Sequence, residues 1–229
     1  DETEPLSVSG LANLTAAYRL MKNIEAHNEK SEEQIEEPMV LVIDKAANVG
    51  NHSLSGAVVD PVAFKELFPE EDAENLPFLT PVTSDKVYFL TKTGKIPVPS
   101  PLLPGPMHNK PSFYIASLAE MTRWMAEKCE EVGVEVMTEF SAMELLKDGE
   151  KIIGARMGDK GLEPDGTPGE TFALGEDLLA RVTVLGEGTR GYLSRQLIKD
   201  MKLDAEANPQ VWGVGVKEII EIPQGRVQK

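Results

Sequence analysis

Three features make a dinucleotide site: glycines that let the backbone approach a pyrophosphate, a helix N-terminus that stabilises its charge, and a strand-end carboxylate that accepts hydrogen bonds from a ribose. The sequence offers candidates for each. Asp44 ends the apolar run Met39-Val40-Leu41-Val42-Ile43, which reads as a buried parallel strand. Upstream, the phosphate-loop position is Val8-Ser9-Gly10-Leu11-Ala12-Asn13, so Gly10 remains while Val8 and Asn13 stand where G-x-G-x-x-G has its outer glycines. The stretch before it, Glu2-Thr3-Glu4-Pro5-Leu6-Ser7, is acidic where a buried strand belongs, and the first strand is expected to be missing. Taken alone, a strand-end Asp is structural or merely solvated as readily as functional.

A literal G-x-G-x-x-G stands at Gly186-Glu187-Gly188-Thr189-Arg190-Gly191, after an apolar strand and before a helix. A tight turn capping the strand is the alternative reading. An NAD-dependent dehydrogenase would need an acidic residue on a following strand, and Asp204 falls past the helix in a polar loop. The three histidines, His27, His52 and His108, are scattered without Cys or spaced carboxylates and make a poor metal site. No G-x-S-x-G is present, and Cys129 lies on a helical apolar stripe, as a core residue would. Leu54 to Phe68 is apolar enough to lie in an interface, with core packing as its competing reading.

The elements that must position these residues follow from periodicity. Leu11–Lys22 reads as a helix, Asn23–Pro38 as a solvated mobile segment with six Glu to one Lys between Glu25 and Glu37. Most of the 16 prolines fall between Pro61 and Pro111, which predicts loops, turns and edge strands such as Lys86–Leu90. Ser112–Val132 reads as a helix with Ile115, Leu118, Thr122, Met125, Cys129 and Val132 on one face, and Val134–Met137 as a strand. Ala142–Leu146 and Lys151–Arg156 flank the turn Asp148-Gly149 as a hairpin. Asp159–Gly169 reads as a loop, Ala180–Leu185 as a buried strand, Tyr192–Met201 as a helix and Val211–Ile222 as a strand. The class is α/β with a parallel sheet and an inserted antiparallel segment.

Composition bounds the rest. The 229 residues carry 23 Lys and Arg against 38 Asp and Glu, a net charge of -15, which argues against nucleic acid as a partner. The single cysteine excludes an internal disulfide or a multi-cysteine metal site within this chain and fits a reducing compartment. No apolar run approaches the roughly 20 residues of a membrane span, and Asp1-Glu2-Thr3-Glu4 does not read as a signal peptide.

Together, several strings resemble one family. They are Val42-Ile43-Asp44-Lys45, Gly50-Asn51-His52-Ser53-Leu54-Ser55-Gly56-Ala57, Asp60-Pro61, Phe64-Lys65-Glu66-Leu67-Phe68-Pro69, Pro97-Val98-Pro99, Tyr114-Ile115, Trp124-Met125, Gly133-Val134-Glu135-Val136, Gly186-Glu187-Gly188 and Gly215-Val216-Lys217-Glu218. In this order, from about Ala16 onward, they look like the front portion of electron transfer flavoprotein–ubiquinone oxidoreductase.

The resemblance implies a Rossmann-like FAD-binding domain of the glutathione-reductase type over residues 1–229, with 51–111 as a proline-rich insert. It implies a monotopic inner-membrane flavoenzyme, mitochondrial or bacterial, that passes electrons from reduced electron transfer flavoprotein to ubiquinone. FAD is the implied cofactor, with a [4Fe-4S] cluster whose ligands this chain lacks. By position, Asp44 would hold the ribose, Gly10 the pyrophosphate, and Gly50, His52, Ser55 and Gly56 would line the flavin region. Gly186, Glu187 and Gly188 would match the late FAD motif, Ala142 would meet adenine through its backbone, and 51–72 would be the membrane-dipping segment.

The sequence departs from that pattern at Val8 and Asn13, where side chains are expected to obstruct the pyrophosphate. It departs again in the 34 residues from Gly10 to Asp44, against about 20 in the usual fingerprint. The alternative is a non-catalytic fragment or paralogue that binds no FAD and acts as an interaction module, soluble if made alone. Restoring glycine at both positions is expected to raise flavin affinity if the first strand forms.

Overall fold

The computed structural model describes residues 6–8, 10–36, 38–53, 55–72, 74–78, 80–163, 165–211, 213, 216 and 223, with backbone alone for 6–8 and for 106. In chain order the elements are β1 (Leu6–Val8), α1 (Leu11–Asn28), β2 (Leu41–Ile43), β3 (Gly56–Val59), α2 (Val62–Leu67), β4 (Thr80–Pro81), β5 (Val87–Leu90), β6 (Lys95–Val98), β7 (Tyr114–Ser117), α3 (Leu118–Glu131), β8 (Glu135–Met137), β9 (Ala142–Asp148), β10 (Lys151–Met157), β11 (Lys160–Leu162), β12 (Pro168–Ala173), β13 (Asp177–Leu179), β14 (Thr183–Val184) and α4 (Tyr192–Met201).

A parallel sheet in the order β14-β1-β2-β8 lies at the centre. The first strand, expected to be missing, is present: Leu6 pairs with Leu41 on one side and Thr183 on the other. Its local composition is poor, but two flanking strands supply the ladder, and tertiary context overrides weak strand propensity.

Strand β2 is buried at every position, because both sheet faces are covered. Val40 and Val42 pack into one core with Leu14, Met121, Met125 and Cys129 of α1 and α3. Leu41 and Ile43 point the other way, into a second core with Leu145, Ala155 and Leu193 of β9, β10 and α4. The period of two in a strand thus feeds both layers.

Between β2 and α3 the chain inserts an antiparallel sheet, β3-β7-β4, and a separate hairpin, β5-β6. Two aromatic residues of the apolar stretch 54–68 enter the core. Phe64 and Phe68 are buried against Tyr18, Phe78 and Trp124, with Phe68 edge-on to Trp124 at 4.8 Å between centroids. Val58 and Val62 remain exposed.

Other differences are local. Helix α1 runs six residues past Lys22, taking in six of the sixteen residues expected to be mobile. Residues 114–117 pair with β3 rather than joining the helix, because Ser117 caps α3, its Oγ accepting from Glu120 N at 3.4 Å. The expected loop 159–169 contains β11 and the first two residues of β12, its antiparallel partner. The buried strand expected at 180–185 shrinks to the two residues of β14, which joins β1 with Val184 exposed, while β13 in the antiparallel β13-β10-β9 sheet ends before Ala180. Most of the strand expected at 211–222 lies outside the described residues.

Candidate functional site

The carboxyl ends of parallel strands are where an open α/β sheet leaves a crevice for a ligand. Here the crevice is a cavity of about 410 Å³, within the range of roughly 300–1,000 Å³ common for small-molecule sites. Asp44, one residue past β2, lines it and is 8% exposed. Its Oδ1 accepts from Ala46 N at 3.0 Å, fixing the side chain in a turn, and its backbone bonds Met137 O and Phe140 N at 2.8 and 2.9 Å. Those two bonds tie the end of β2 to the turn before β9, which brings Phe140, Ser141 and Ala142 to the cavity wall.

Gly50 and His52 line the cavity as well. Gly50 has φ +83, and a Cβ there would come 2.6 Å from Ala119 O, so the turn packs directly on the start of α3. Ser53 and Thr122, which also line the cavity, approach through their hydroxyls at 3.5 Å, and Thr122 Oγ1 donates to Leu118 O.

Helix α1 begins at Gly10 in an extended conformation with no side-chain cap, a helix start suited to an anion. Asn13 does not turn into the cavity, as the expected obstruction requires. It is 3% exposed and its carboxamide lies against Gly186. Helix α4 is the reverse case. The Glu187 carboxylate accepts from Tyr192 N at 3.0 Å, Leu193 N at 3.1 Å, and Ser194 N and Oγ at 2.7 Å each. The chain's own anion thus occupies the N-terminus that the literal G-x-G-x-x-G would have offered to a phosphate.

Of the ten residues singled out in the sequence, Asp44, Gly50, His52, Ala142 and Glu187 meet at this cavity. Gly10 and Gly186 lie next to each other, a Cβ on Gly10 reaching 3.2 Å from Gly186 O. Neither of these two glycines lines the cavity, and Ser55, Gly56 and Gly188 do not line it either. Ser55 Oγ donates to Gly56 O, Gly56 opens β3, and Gly188 is an exposed turn residue at φ +77. Sequence reasoning passed over Lys45, Thr122, Phe140, Met143, Arg190 and Tyr192, which line the cavity too. Lys45 adjoins Asp44 and Phe140 precedes Ala142 by two, signals present in the sequence. Thr122 sat on an apolar stripe and gave none.

Cys129 is buried core. Its Sγ donates to Leu14 O at 3.1 Å, and burial pushes the thiol pKa up to about 12. Among the described residues no helix is long and apolar enough to cross a membrane, and no cluster of three metal-ligating side chains is present.

No protein-family model matches the chain. Curated relatives do. It is 42% identical over 212 residues to the mitochondrial electron transfer flavoprotein–ubiquinone oxidoreductase of Homo sapiens, covering 92% of this chain and 33% of that protein. The chain is related to these oxidoreductases. The Pseudomonas aeruginosa electron transfer flavoprotein–ubiquinone oxidoreductase is 40% identical over 217 residues, 93% of this chain and 38% of the relative. The chain thus spans about a third of the length of the curated oxidoreductases it matches.

Solved structures share the fold at low identity. A geranylgeranyl bacteriochlorophyll reductase-like protein from Thermoplasma acidophilum superposes with TM-score 0.51 at 16% identity, over 80% of this chain and 38% of that one. A myxobacterial chondrochloren halogenase, described as a variant of FAD-dependent halogenases, gives 0.50 at 16%, over 84% and 39%. The fold is the α/β FAD-binding type with its inserted antiparallel segment, as the resemblance implies.

Proposed function

We propose that this chain holds FAD as part of an enzyme that passes electrons from reduced electron transfer flavoprotein to ubiquinone. The observation that carries the reading is Asp44: a buried carboxylate just past the end of a central parallel strand, fixed by its turn and opening on the cavity. In this reading Asp44 accepts hydrogen bonds from the adenosine ribose and the backbone at Ala142 meets adenine. Gly10 and the uncapped start of α1 receive the diphosphate, with Gly50 and His52 toward the flavin. Ser55, Gly56 and Gly188 have no role in it, and Glu187 acts through the α4 cap.

FAD would supply the electron-transfer chemistry, and the chain's residues orient it and set its electrostatics. Lys45 and Arg190 bring positive charge to a cavity meant for a diphosphate, in a chain of net charge -15. A [4Fe-4S] cluster requires cysteines beyond the one present here, so in this reading its ligands come from elsewhere in the enzyme. Residues 51–111 form the insert. Of its 51–72 segment, the exposed Val58 and Val62 are what remains for a membrane surface, since Phe64 and Phe68 are used in the core. An inner-membrane, peripheral location follows from the same reading.

The test is an FAD titration of the purified chain followed by its visible spectrum. A retained, protein-perturbed flavin band is expected. Asp44→Ala should weaken binding by about tenfold to a hundredfold, as loss of one charge-assisted hydrogen bond of ~1.5–3 kcal/mol implies. A colourless, folded, monodisperse protein would overturn the reading in favour of an interaction module, which no comparison supports.

A further inference from the structure

Asn13 and Gly186 stand in an unusual relation. A Cβ built on Gly186 would overlap Oδ1, Cγ and Nδ2 of Asn13, so the absence of a side chain at one position is what admits the carboxamide at the other. Asn13 is 3% exposed, in the first turn of α1, and its N–H donates to Gly10 O at 3.0 Å. A Cβ built on Gly10 would come 3.2 Å from Gly186 O. From the very next residue, Glu187, the 186–191 loop is held to the helix that follows it. Glu187 binds the start of α4, and a Cβ on Gly191 would come 2.6 Å from Glu187 Cβ.

A third loop glycine ordinarily serves close helix–strand packing. The same closeness is reached here with the roles exchanged: the side chain sits on the helix and the glycine on the facing loop. We propose that Asn13 is a positioning residue, and that its packing into Gly186 sets the distance between the diphosphate-receiving start of α1 and the Glu187 turn. This rests on the dinucleotide reading of the cavity. It also reverses the expectation that glycine at position 13 would improve binding, because that change would empty a filled site and loosen the spacing.

The test is a double-mutant cycle on the full chain with Asn13→Ala, Gly186→Ala and the pair. Melting temperature and affinity for ADP and for FAD are read at a temperature where every variant is folded. Gly186→Ala alone should lose on the order of tenfold in ADP affinity, the consequence of forcing a methyl into a filled space. Asn13→Ala alone should lose about threefold or more while its melting temperature stays close to the parent's, a change in binding that a purely structural role would not produce. The pair should return to within about twofold of the parent, since the overlapping atoms are those Ala removes. Additive losses, or an Asn13→Ala or Asn13→Gly variant that binds as well as or better than the parent, would overturn the proposal. If the parent binds neither ADP nor FAD, the dinucleotide reading fails and the positioning role with it. Coupled melting temperatures would then mark the pair as packing alone.

Discussion

Replacing Glu187 by alanine separates two readings of the 186–191 loop. The side chain accepts four hydrogen bonds at the start of α4, three from backbone N–H groups and one from a hydroxyl. Glu187 and Ser194 are half-buried, so water replaces part of what is lost, and the lower range for helix caps is the right scale. A lost cap costs about 0.5–2 kcal/mol and the charge at the helix start adds ~0.3–1, so Glu187→Ala should cost about 1–3 kcal/mol. For a chain of 229 residues this lowers the melting temperature by about 2–12 °C, at ~2–4 °C per kcal/mol.

Glu187→Gln, which keeps an acceptor and loses the charge, should fall between. The assay is thermal unfolding with and without sulfate. The anion should stabilise the alanine variant more than the parent, because the N–H groups of Tyr192 to Ser194 become available to it. A variant that melts within about 1 °C of the parent would refute the cap as a stabilising contact. FAD affinity measured on the folded variant tells whether Glu187 contributes beyond the cap.

Two further predictions follow from the ionisable groups. With its thiol pushed up to about 12 by burial, Cys129 should resist a thiol-labelling reagent at pH 8 in the native protein and react at once on unfolding, whereas rapid native labelling would refute its place in the core. Asp177 is held below its ordinary 3.8 by its hydrogen bonds to Arg156, so its contribution to stability is present above that value and is lost as pH falls through the lowered one. Arg156→Met should therefore melt below the parent at pH 7, and the gap should close below about pH 3.8. A gap constant across that window would contradict the pairing.

What the sequence discloses is what local pattern controls. Helix α4 has the predicted bounds, Tyr192–Met201, because its periodicity and turn signals are all local. The β9-β10 hairpin forms around the predicted 148–149 turn for the same reason. What it hides depends on distant partners. Leu6–Val8 is a strand because Leu41 and Thr183 flank it, and nothing in its own composition says so. Tyr114–Ser117 carries helical spacing yet pairs with Gly56–Val59, some sixty residues earlier. At the cavity, Asp44 was legible from the strand it ends, while the fate of Asn13 was not. Its effect depends on Gly186, and a motif read in isolation treats each glycine position separately.

The strand order also sets a timetable for synthesis. Because Leu6 lies between Leu41 and Thr183, the first strand is completed on its far side only once the 177 residues that follow Leu6 up to Thr183 have been made. At about 5–20 residues per second that is a wait on the order of ten to thirty seconds, with a bare edge on the nascent sheet.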